Sequence, residues 1–284
     1  YGSLFAALPG NVADGHDFVK KAAETGAVAV LVQKPVEVNV PQLLVKDVLL
    51  ALGQIAAMLR QQMNPKVIGI TGSNGKTTVK EMIASILRQA TTAGAAENNG
   101  SLDPVLATEG NLNNDIGVPQ MLLRLRQHHR YAVIEMGMNH VGEISYLTQL
   151  AKPSIALITN AGAAHIEGLG SIEAVARAKA EIFEGLDQQG TAIINADDCY
   201  APLWRKCAGS RPIIDFGLRE KARVSADYST DPLMSTIQLK LPDGMETIQL
   251  QTPGVHNVYN ALAAAAATTA LGIPKESIAS GLEC

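Results

Sequence analysis

The chain of 284 residues has few cysteines, no long apolar run and no basic excess, and each shortage excludes a class of protein. Its three cysteines, Cys199, Cys207 and Cys284, lack the paired spacing of a zinc site, so we expect reduced thiols. No apolar run approaches the roughly 20 residues of a membrane-spanning helix and no signal peptide opens the sequence, which predicts a cytoplasmic protein without membrane insertion. The net charge of −4 argues against a nucleic-acid partner.

The remaining composition is that of an ordinary globular protein, with 47% hydrophobic and 18% charged residues. The length suggests about two domains. A helix predicted over residues 48–63 ends at Asn64-Pro65, because proline cannot continue a helix. We therefore expect a small α/β domain over residues 1–64 and a larger domain over residues 65–284.

The larger domain alternates apolar, β-branched runs with helical patterns, which predicts an α/β fold with a doubly wound, mostly parallel sheet. The predicted strands are residues 67–71, 131–135, 155–159, 191–195 and 213–216. Residues 236–241 and 246–251 alternate with period two and predict a hairpin that extends this sheet. An Ala-rich helix is predicted over residues 258–271, and a mobile loop over residues 91–103.

The most informative stretch is VIGITGSNGKTT, residues 67–78, in which a strand leads through a Gly-rich loop into a helix. Gly72 and Gly75 let backbone N–H groups close around a phosphate, and Lys76 supplies a charge for the β- and γ-phosphates. The Thr77 hydroxyl is placed to ligate Mg²⁺. One position departs from the common motif, because Ile70 stands where a glycine is usual.

Two polar residues follow predicted strands, where the site of a doubly wound sheet lies. Glu135 ends the second strand, and His165 comes a few residues after the third. With the Thr77 hydroxyl and phosphate oxygens they would complete a magnesium shell. Alternatively, each is an ordinary capping or solvated loop residue.

Lys179 occupies an unusual position, in the middle of the apolar stripe of a predicted helix over residues 172–186. Burying an ammonium group is costly. The lysine therefore either snorkels to solvent, or turns toward the phosphates, or exchanges its positive charge for a carbamate that helps to hold a cation.

Two Asn-containing motifs complete the candidates. Asn111, Asn113 and Asn114 either cap a helix beginning near Ile116 or recognise a polar, peptide-like substrate. Before the Ala-rich helix, one Asn would suffice as a cap, so His256 or Asn257 is a candidate to face a ligand.

Together these motifs resemble those of the Mur ligase family, ATP-dependent amino-acid and peptide ligases of cell-wall precursor synthesis. The resemblance implies that Glu135 binds magnesium, that His165 belongs to the metal site and that Lys179 is carbamylated. It also implies a nucleotide site, with His256, Asn257 and Asn260 on the adenine side. The implied nucleotide-binding residues of the phosphate loop are Gly72, Ser73, Asn74, Gly75, Lys76, Thr77 and Thr78.

Within the family, residues 110–119 and 134–144 are most similar to the member that adds D-alanyl-D-alanine to UDP-N-acetylmuramoyl-tripeptide, and residues 4–10 and 14–18 resemble its UDP-binding domain. This implies an acyl-phosphate reaction that uses ATP and Mg²⁺. The implied substrate-binding residues are Asn111, Asn113, Asn114, Asn139 and His140. The third residue of the tripeptide is left open, and a monomer is expected.

The family has a third, Rossmann-like domain, and this chain stops at Cys284, where that domain should begin. The start also reads as the interior of the first domain. We therefore expect a truncated chain that does not complete ligation alone. The alternatives are another Mur-type or a folylpolyglutamate-type amide ligase, and a P-loop regulatory ATPase, which would hydrolyse ATP without a UDP-sugar peptide and an amine.

Overall fold

The computed structural model describes residues 2–10, 13–92, 102–163 and 169–284. The chain divides into two compact units, Tyr1–Met58 and Leu59–Cys284. The division falls inside the helix Val48–Met63, ahead of the boundary predicted after Asn64. His165 and most of the loop predicted over residues 91–103 lie outside the described residues.

The first unit is built on a small parallel sheet of order β1-β2-β3. Its elements are β1 (Ser3–Ala6), a 3₁₀ helix (Gly15–Phe18), α1 (Val19–Glu24), β2 (Ala27–Val32), β3 (Gln42–Leu44) and, as far as Met58, α2 (Val48–Met63). Ala7, Val19 and Val30 are fully buried at its core. The Asp47 carboxylate accepts the Leu50 N–H at 2.9 Å and caps α2, whose predicted bounds are confirmed.

The second unit contains a six-stranded sheet of order β5-β6-β4-β7-β8-β9. Its strands are β4 (Lys66–Thr71), β5 (Val105–Ala107), β6 (Tyr131–Glu135), β7 (Ile155–Ile158), β8 (Thr191–Asn195) and β9 (Ile213–Phe216). Every neighbouring pair is parallel, which confirms the predicted parallel sheet. β5 was not predicted, because three residues carry too little periodicity. The strand order reverses at β4, where such sheets place their ligands.

Helices cover both faces of this sheet. They are α3 (Lys76–Thr92), α4 (Gly117–Leu122), α5 (Glu143–Ala151), α6 (Ile172–Ala180) with a 3₁₀ helix (Glu181–Glu184), α7 (Ala201–Ala208), α8 (Val255–Ala270) and α9 (Lys275–Glu283). Ile68 and Ile70 of β4 pack in one core with residues of α3, α8 and α9. Gly69 faces the other way, since a Cβ there would lie 3.5 Å from Ile182. Among the described residues, no helix combines the length and apolar character needed to cross a membrane.

The predicted hairpin exists, but it does not extend the large sheet. It forms a separate antiparallel sheet with a strand that was not predicted: β10 (Ser225–Thr230), β11 (Ser235–Leu241) and β12 (Gly244–Leu250). Its apolar face, with Ile237, Leu239 and Ile248 fully buried, packs into the core that contains α8. The predicted extension was wrong, because β11 pairs on both sides within this small sheet and the hairpin packs on the core by its face.

Candidate active site

The Gly-rich loop joins β4 to α3 at the carboxyl edge of the sheet, and its glycines are sterically required. A Cβ on Gly72 would lie 1.8 Å from Thr159 Oγ1, and one on Gly75 would lie 2.4 Å from Asn260 Oδ1. Gly75 also has a φ of +82°, which L side chains rarely adopt. The Lys76 ammonium donates to the Gly72 carbonyl at 2.9 Å, so it is folded back over the loop.

Residues after β7 hold the loop in shape. The Ser73 N–H donates to the Asn160 carbonyl at 3.0 Å, and the Thr159 hydroxyl donates to the Asn74 carbonyl at 2.7 Å. The first N–H groups of α3 have no acceptor within the helix, so this end of the loop suits an anion. Ile70, which stands where the common motif has a glycine, belongs to β4 and is fully buried there. The loop begins only after this strand, so this position does not need a glycine.

Glu135 ends β6, the neighbour of β4, and is 2% exposed. One carboxylate oxygen accepts the Thr77 hydroxyl at 2.9 Å, and the other accepts the Asn113 amide at 2.8 Å. Its backbone N–H donates to the Thr108 hydroxyl at 2.9 Å. A carboxylate and a hydroxyl this close offer the hard oxygen ligands that Mg²⁺ prefers.

Within the described ranges, no three His, Cys, Asp or Glu side chains converge on a point that could hold a metal. Mg²⁺ commonly uses one or two protein oxygens and completes its shell with phosphate oxygens and water, so Thr77 and Glu135 fit this ion. The position of His165 falls outside the described residues, and its part in the site stays a prediction.

Lys179 of α6 is 2% exposed, which rules out the snorkelling alternative. Burial, and after it the charge of Lys76, lower its pKa from the ordinary 10.5 to about 7. Burial also lowers the pKa of Lys76, against the opposing effect of Glu135. In the part of the chain that the structure describes, nothing accepts a hydrogen bond from the Lys179 ammonium.

A pocket of about 460 Å³ opens on one side of the phosphate loop. This volume is in the range of small-molecule sites. Three sets of residues line it: the loop itself, the ends of β7, β8 and β9, and the start of α8. They include Asn74, Gly75, Thr78, Thr159, Asn160, Asn195, Asp197, Asp198, Phe216, Arg219, His256, Asn257, Tyr259 and Asn260.

A second, smaller pocket of about 170 Å³ lies beside Lys76. Its lining is mostly polar and comes from the segments before α4 and before α5. It is lined by Lys76, Asn113, Asn114, Asp115, Gly137, Met138, Asn139 and Glu143. The phosphate loop thus contributes to two neighbouring pockets, and Lys76 faces the smaller one.

One residue of the predicted Asn cluster takes the capping role, and substrate recognition by the cluster stays a prediction. The Asn114 side chain accepts the Gly117 N–H at 2.8 Å at the start of α4, as a cap would. The Asn113 amide instead turns to Glu135. Asn111 and His140 do not line the smaller pocket, whereas Asn139 does.

The motif with His256, Asn257 and Asn260 lies within α8, which begins at Val255, earlier than predicted. The Asn260 amide donates to Asn257 Oδ1 at 3.1 Å, and Asn257 in turn donates to the Pro253 carbonyl at 3.2 Å. All three motif residues line the larger pocket.

Several pocket residues were missed from the sequence. Asn195, Asp197 and Asp198 stand at the end of β8, and the rule that identified Glu135 would have found them. The Asp198 carboxylate accepts the Ala161 N–H at 2.9 Å. Burial, and the hydrogen bond to Asp197, raise the pKa of Tyr259 to about 12.

In the first unit, a buried histidine orders the motif that resembles a UDP-binding segment. His16 Nε2 accepts the Gln33 N–H at 2.9 Å, so its proton is on Nδ1, which donates to Asp14 Oδ1 at 2.6 Å. The Lys34 ammonium lies 3.0 Å from the other Asp14 oxygen. Hydrogen bonds from the His16 backbone and side chain, then from Lys34, hold the Asp14 pKa well below its usual range.

Two family models match the chain. One, described as the Mur ligase middle domain, matches residues 70–268. The other, described as the Mur ligase family catalytic domain, matches residues 1–89.

Two curated relatives carry the same name. The UDP-N-acetylmuramoyl-tripeptide--D-alanyl-D-alanine ligases of Escherichia coli and Haemophilus influenzae are 44% and 45% identical, each over 99% of this chain and 60% of the relative. A crystal structure of MurF from Acinetobacter baumannii has a TM-score of 0.91 at 42% identity, covering 99% of this chain and 60% of that chain. MurF ligase from Thermotoga maritima in complex with ADP has a TM-score of 0.84 at 27% identity, covering 98% and 63%.

Proposed function

The chain belongs to the Mur ligase family, and from this premise we propose that the whole protein uses ATP to join D-alanyl-D-alanine to UDP-N-acetylmuramoyl-tripeptide in peptidoglycan precursor synthesis. The observation that carries this proposal is that the phosphate loop contributes to two neighbouring pockets. A ligase of this kind must hold a nucleotide and an acyl substrate on either side of one phosphoryl group. The names of the relatives support the choice of substrates.

In the proposed reaction, ATP occupies the larger pocket with its phosphates on the loop, and the tripeptide carboxylate lies in the smaller pocket. A carboxylate oxygen of the tripeptide attacks the γ-phosphorus of ATP. The bond between that phosphorus and the β,γ-bridging oxygen breaks, and ADP leaves. The dipeptide amine then attacks the acyl carbon, and the tetrahedral intermediate expels phosphate as the amine loses a proton. Lys76, which faces the smaller pocket, offsets charge on the phosphoryl group as it moves.

Mg²⁺ fits the pair formed by Thr77 and Glu135, and when bound it would neutralise charge on the phosphate oxygens. The family resemblance adds His165 to this metal site. Lys179 as a carbamate would bring a negative charge in place of a positive one. Its buried amine, which has no hydrogen-bond partner among the described residues and a pKa of about 7, supports this, because a carbamate forms from the neutral amine.

The substrate's other parts are assigned from the resemblance. We propose that Asn113, Asn114, Asn139 and the nearby Asn111 and His140 face the peptide, and that the first unit, with its ordered Asp14–His16 segment, binds the UDP group. The chain spans about 60% of the length of the curated relatives it matches, so the complete protein is the object to test.

The test measures ADP release by the full-length protein with each substrate omitted in turn. We expect turnover only when ATP, UDP-N-acetylmuramoyl-tripeptide and D-alanyl-D-alanine are all present, with a tripeptide-dipeptide product in equal amount. Lys76→Ala should lower turnover roughly 10² to 10³-fold, whereas Lys66→Ala, at the other end of β4, should leave it unchanged. ATP hydrolysis that ignores both peptides would refute the ligase and favour a regulatory ATPase, and turnover with a folate and glutamate would favour the other amide ligase.

A further inference from the structure

Asp197 is a buried carboxylate to which the proposed reaction assigns no role. Its side chain is 2% exposed, although the residue stands at the wall of the larger pocket just after β8. Burying a carboxylate is costly unless hydrogen-bond donors surround it. Asp197 has four such donors, and they come from two distant segments of the chain.

Three consecutive backbone N–H groups supply the first set of donors. Leu218 and Glu220 donate to the Asp197 carboxylate at 2.7 Å, and Arg219 donates at 3.0 Å. The Tyr259 hydroxyl of α8 donates at 2.6 Å. The carboxylate thus joins the turn after β9 and the first turns of α8 to the end of β8.

The same arrangement reaches the phosphate loop. Asn260 follows Tyr259 in α8, and its Oδ1 stands so close to Gly75 that a Cβ there would approach it to 2.4 Å. Gly217 begins the turn after β9, where a Cβ would lie 2.9 Å from Asp197 Oδ1. Two consecutive residues of α8 therefore connect these parts: Tyr259 contacts Asp197, and Asn260 contacts the phosphate loop.

We infer that Asp197 is a positioning residue of the proposed ATP site, an inference that rests on the proposed function. Its carboxylate fixes the wall that carries Arg219 and Tyr259 relative to the phosphate loop. No atom of Asp197 lines the smaller pocket beside Lys76. It therefore sets the affinity for the nucleotide and leaves the rate of phosphoryl transfer from bound ATP nearly unchanged.

The experiment compares Asp197→Asn with wild type in the full-length protein. Asparagine keeps the shape but turns an amide N–H toward donors, so at least one donor loses its acceptor. We expect the Kd for ADP with Mg²⁺, measured by calorimetry, and the KM for ATP to rise roughly ten- to a hundredfold. The kcat at saturating ATP should stay within about threefold of wild type.

Asp215→Asn is the matched control. Asp215 of β9 also accepts a backbone N–H, from Arg223 at 2.7 Å, and the Arg205 guanidinium at 2.6 Å, but it does not line the pocket. Both variants should lose some thermal stability, and only Asp197→Asn should raise the KM for ATP. An equal rise in both variants, or a fall in kcat at unchanged KM, overturns the inference.

Tyr259→Phe provides a milder variant if Asp197→Asn does not fold, since it removes only a hydroxyl. It should raise the Kd for ADP by roughly three- to tenfold. Where both variants fold, the double variant should raise the Kd for ADP by less than the product of the two single increases, because both substitutions disrupt the same hydrogen bond. A Kd that equals this product overturns the coupling. A wild type that binds no ADP refutes the proposed function itself, whereas normal ADP binding by the Tyr259 and Asp197 variants refutes only the positioning role.

Discussion

Replacing Lys179 with methionine should stabilise the protein while abolishing its activity. Lys179 is 2% exposed, the pKa of its amine falls from 10.5 to about 7, and no described residue accepts a hydrogen bond from it. Methionine fills nearly the same volume without a charge to desolvate. We therefore expect Lys179, as an ammonium, to lower the free energy of unfolding, a cost that the proposed carbamate would remove.

The magnitude follows from the pKa. At about 1.4 kcal/mol for each pKa unit, a fall from 10.5 to about 7 corresponds to about 5 kcal/mol against folding when both states are protonated. Between these two pKa values the unfolded lysine binds more protons than the folded one, so the free energy of unfolding rises with pH in that window. From about pH 7 to about pH 9, wild type should gain about 2 kcal/mol relative to Lys179→Met, and below about pH 6 the difference should level off.

The assay is urea unfolding of both proteins at each pH in CO₂-depleted buffer, because a carbamate would replace the titrating amine. Lys80→Met is the matched control, since Lys80 is equally buried but donates to the Thr108 carbonyl at 2.6 Å and pairs with Glu81 at 2.8 Å. The Lys80→Met substitution should lower the free energy of unfolding by about 1 to 3 kcal/mol, because it removes the donor to the buried Thr108 carbonyl.

The functional half of the prediction uses the full-length protein. Wild-type activity should fall in acidic, CO₂-depleted buffer and recover with bicarbonate, and Lys179→Ala should regain part of its activity with a small carboxylate. If Lys179→Met is less stable than wild type by the same amount at every pH, the lysine is not a buried, unpaired amine and the reasoning fails. Full activity of Lys179→Met would refute the carbamate.

Three further outcomes are expected. Lys76→Ala should lower kcat roughly 10² to 10³-fold with an unchanged melting temperature, measured by steady-state kinetics and calorimetry, and near-normal turnover would exclude this loop as the phosphate site. Glu135→Gln and His165→Ala should raise the Mg²⁺ concentration needed for half-maximal rate more than they shift the pH profile, and an unchanged metal requirement in both would refute the metal site. Gly75→Ala should weaken ADP binding at least about tenfold, because its Cβ would approach Asn260 Oδ1 to 2.4 Å, and calorimetry showing normal affinity would contradict that clash.

Much of the second unit was predictable from local pattern. The apolar runs that lead to Thr71, Glu135 and Asn195 form parallel strands as predicted. A strand buried on both faces needs a continuous apolar run, and such a run is visible in the sequence. The position of the Gly-rich loop between β4 and α3 was also predictable, since its glycines and Lys76 lie within a few residues of one another.

Only the tertiary structure decided which residues far apart in the chain become hydrogen-bond partners. Thr77 and Glu135 are 58 positions apart, and Asp197 and Tyr259 are 62 apart, so no local periodicity records either hydrogen bond. The same holds for Lys179, whose sequence position left snorkelling and burial equally open until the surrounding elements enclosed it. Local residues determine where a strand or a loop forms, because those preferences depend on near neighbours. The electrostatic environment of a side chain is decided by the segments that fold around it, and for Lys179 and Asp197 those segments come from distant parts of the chain.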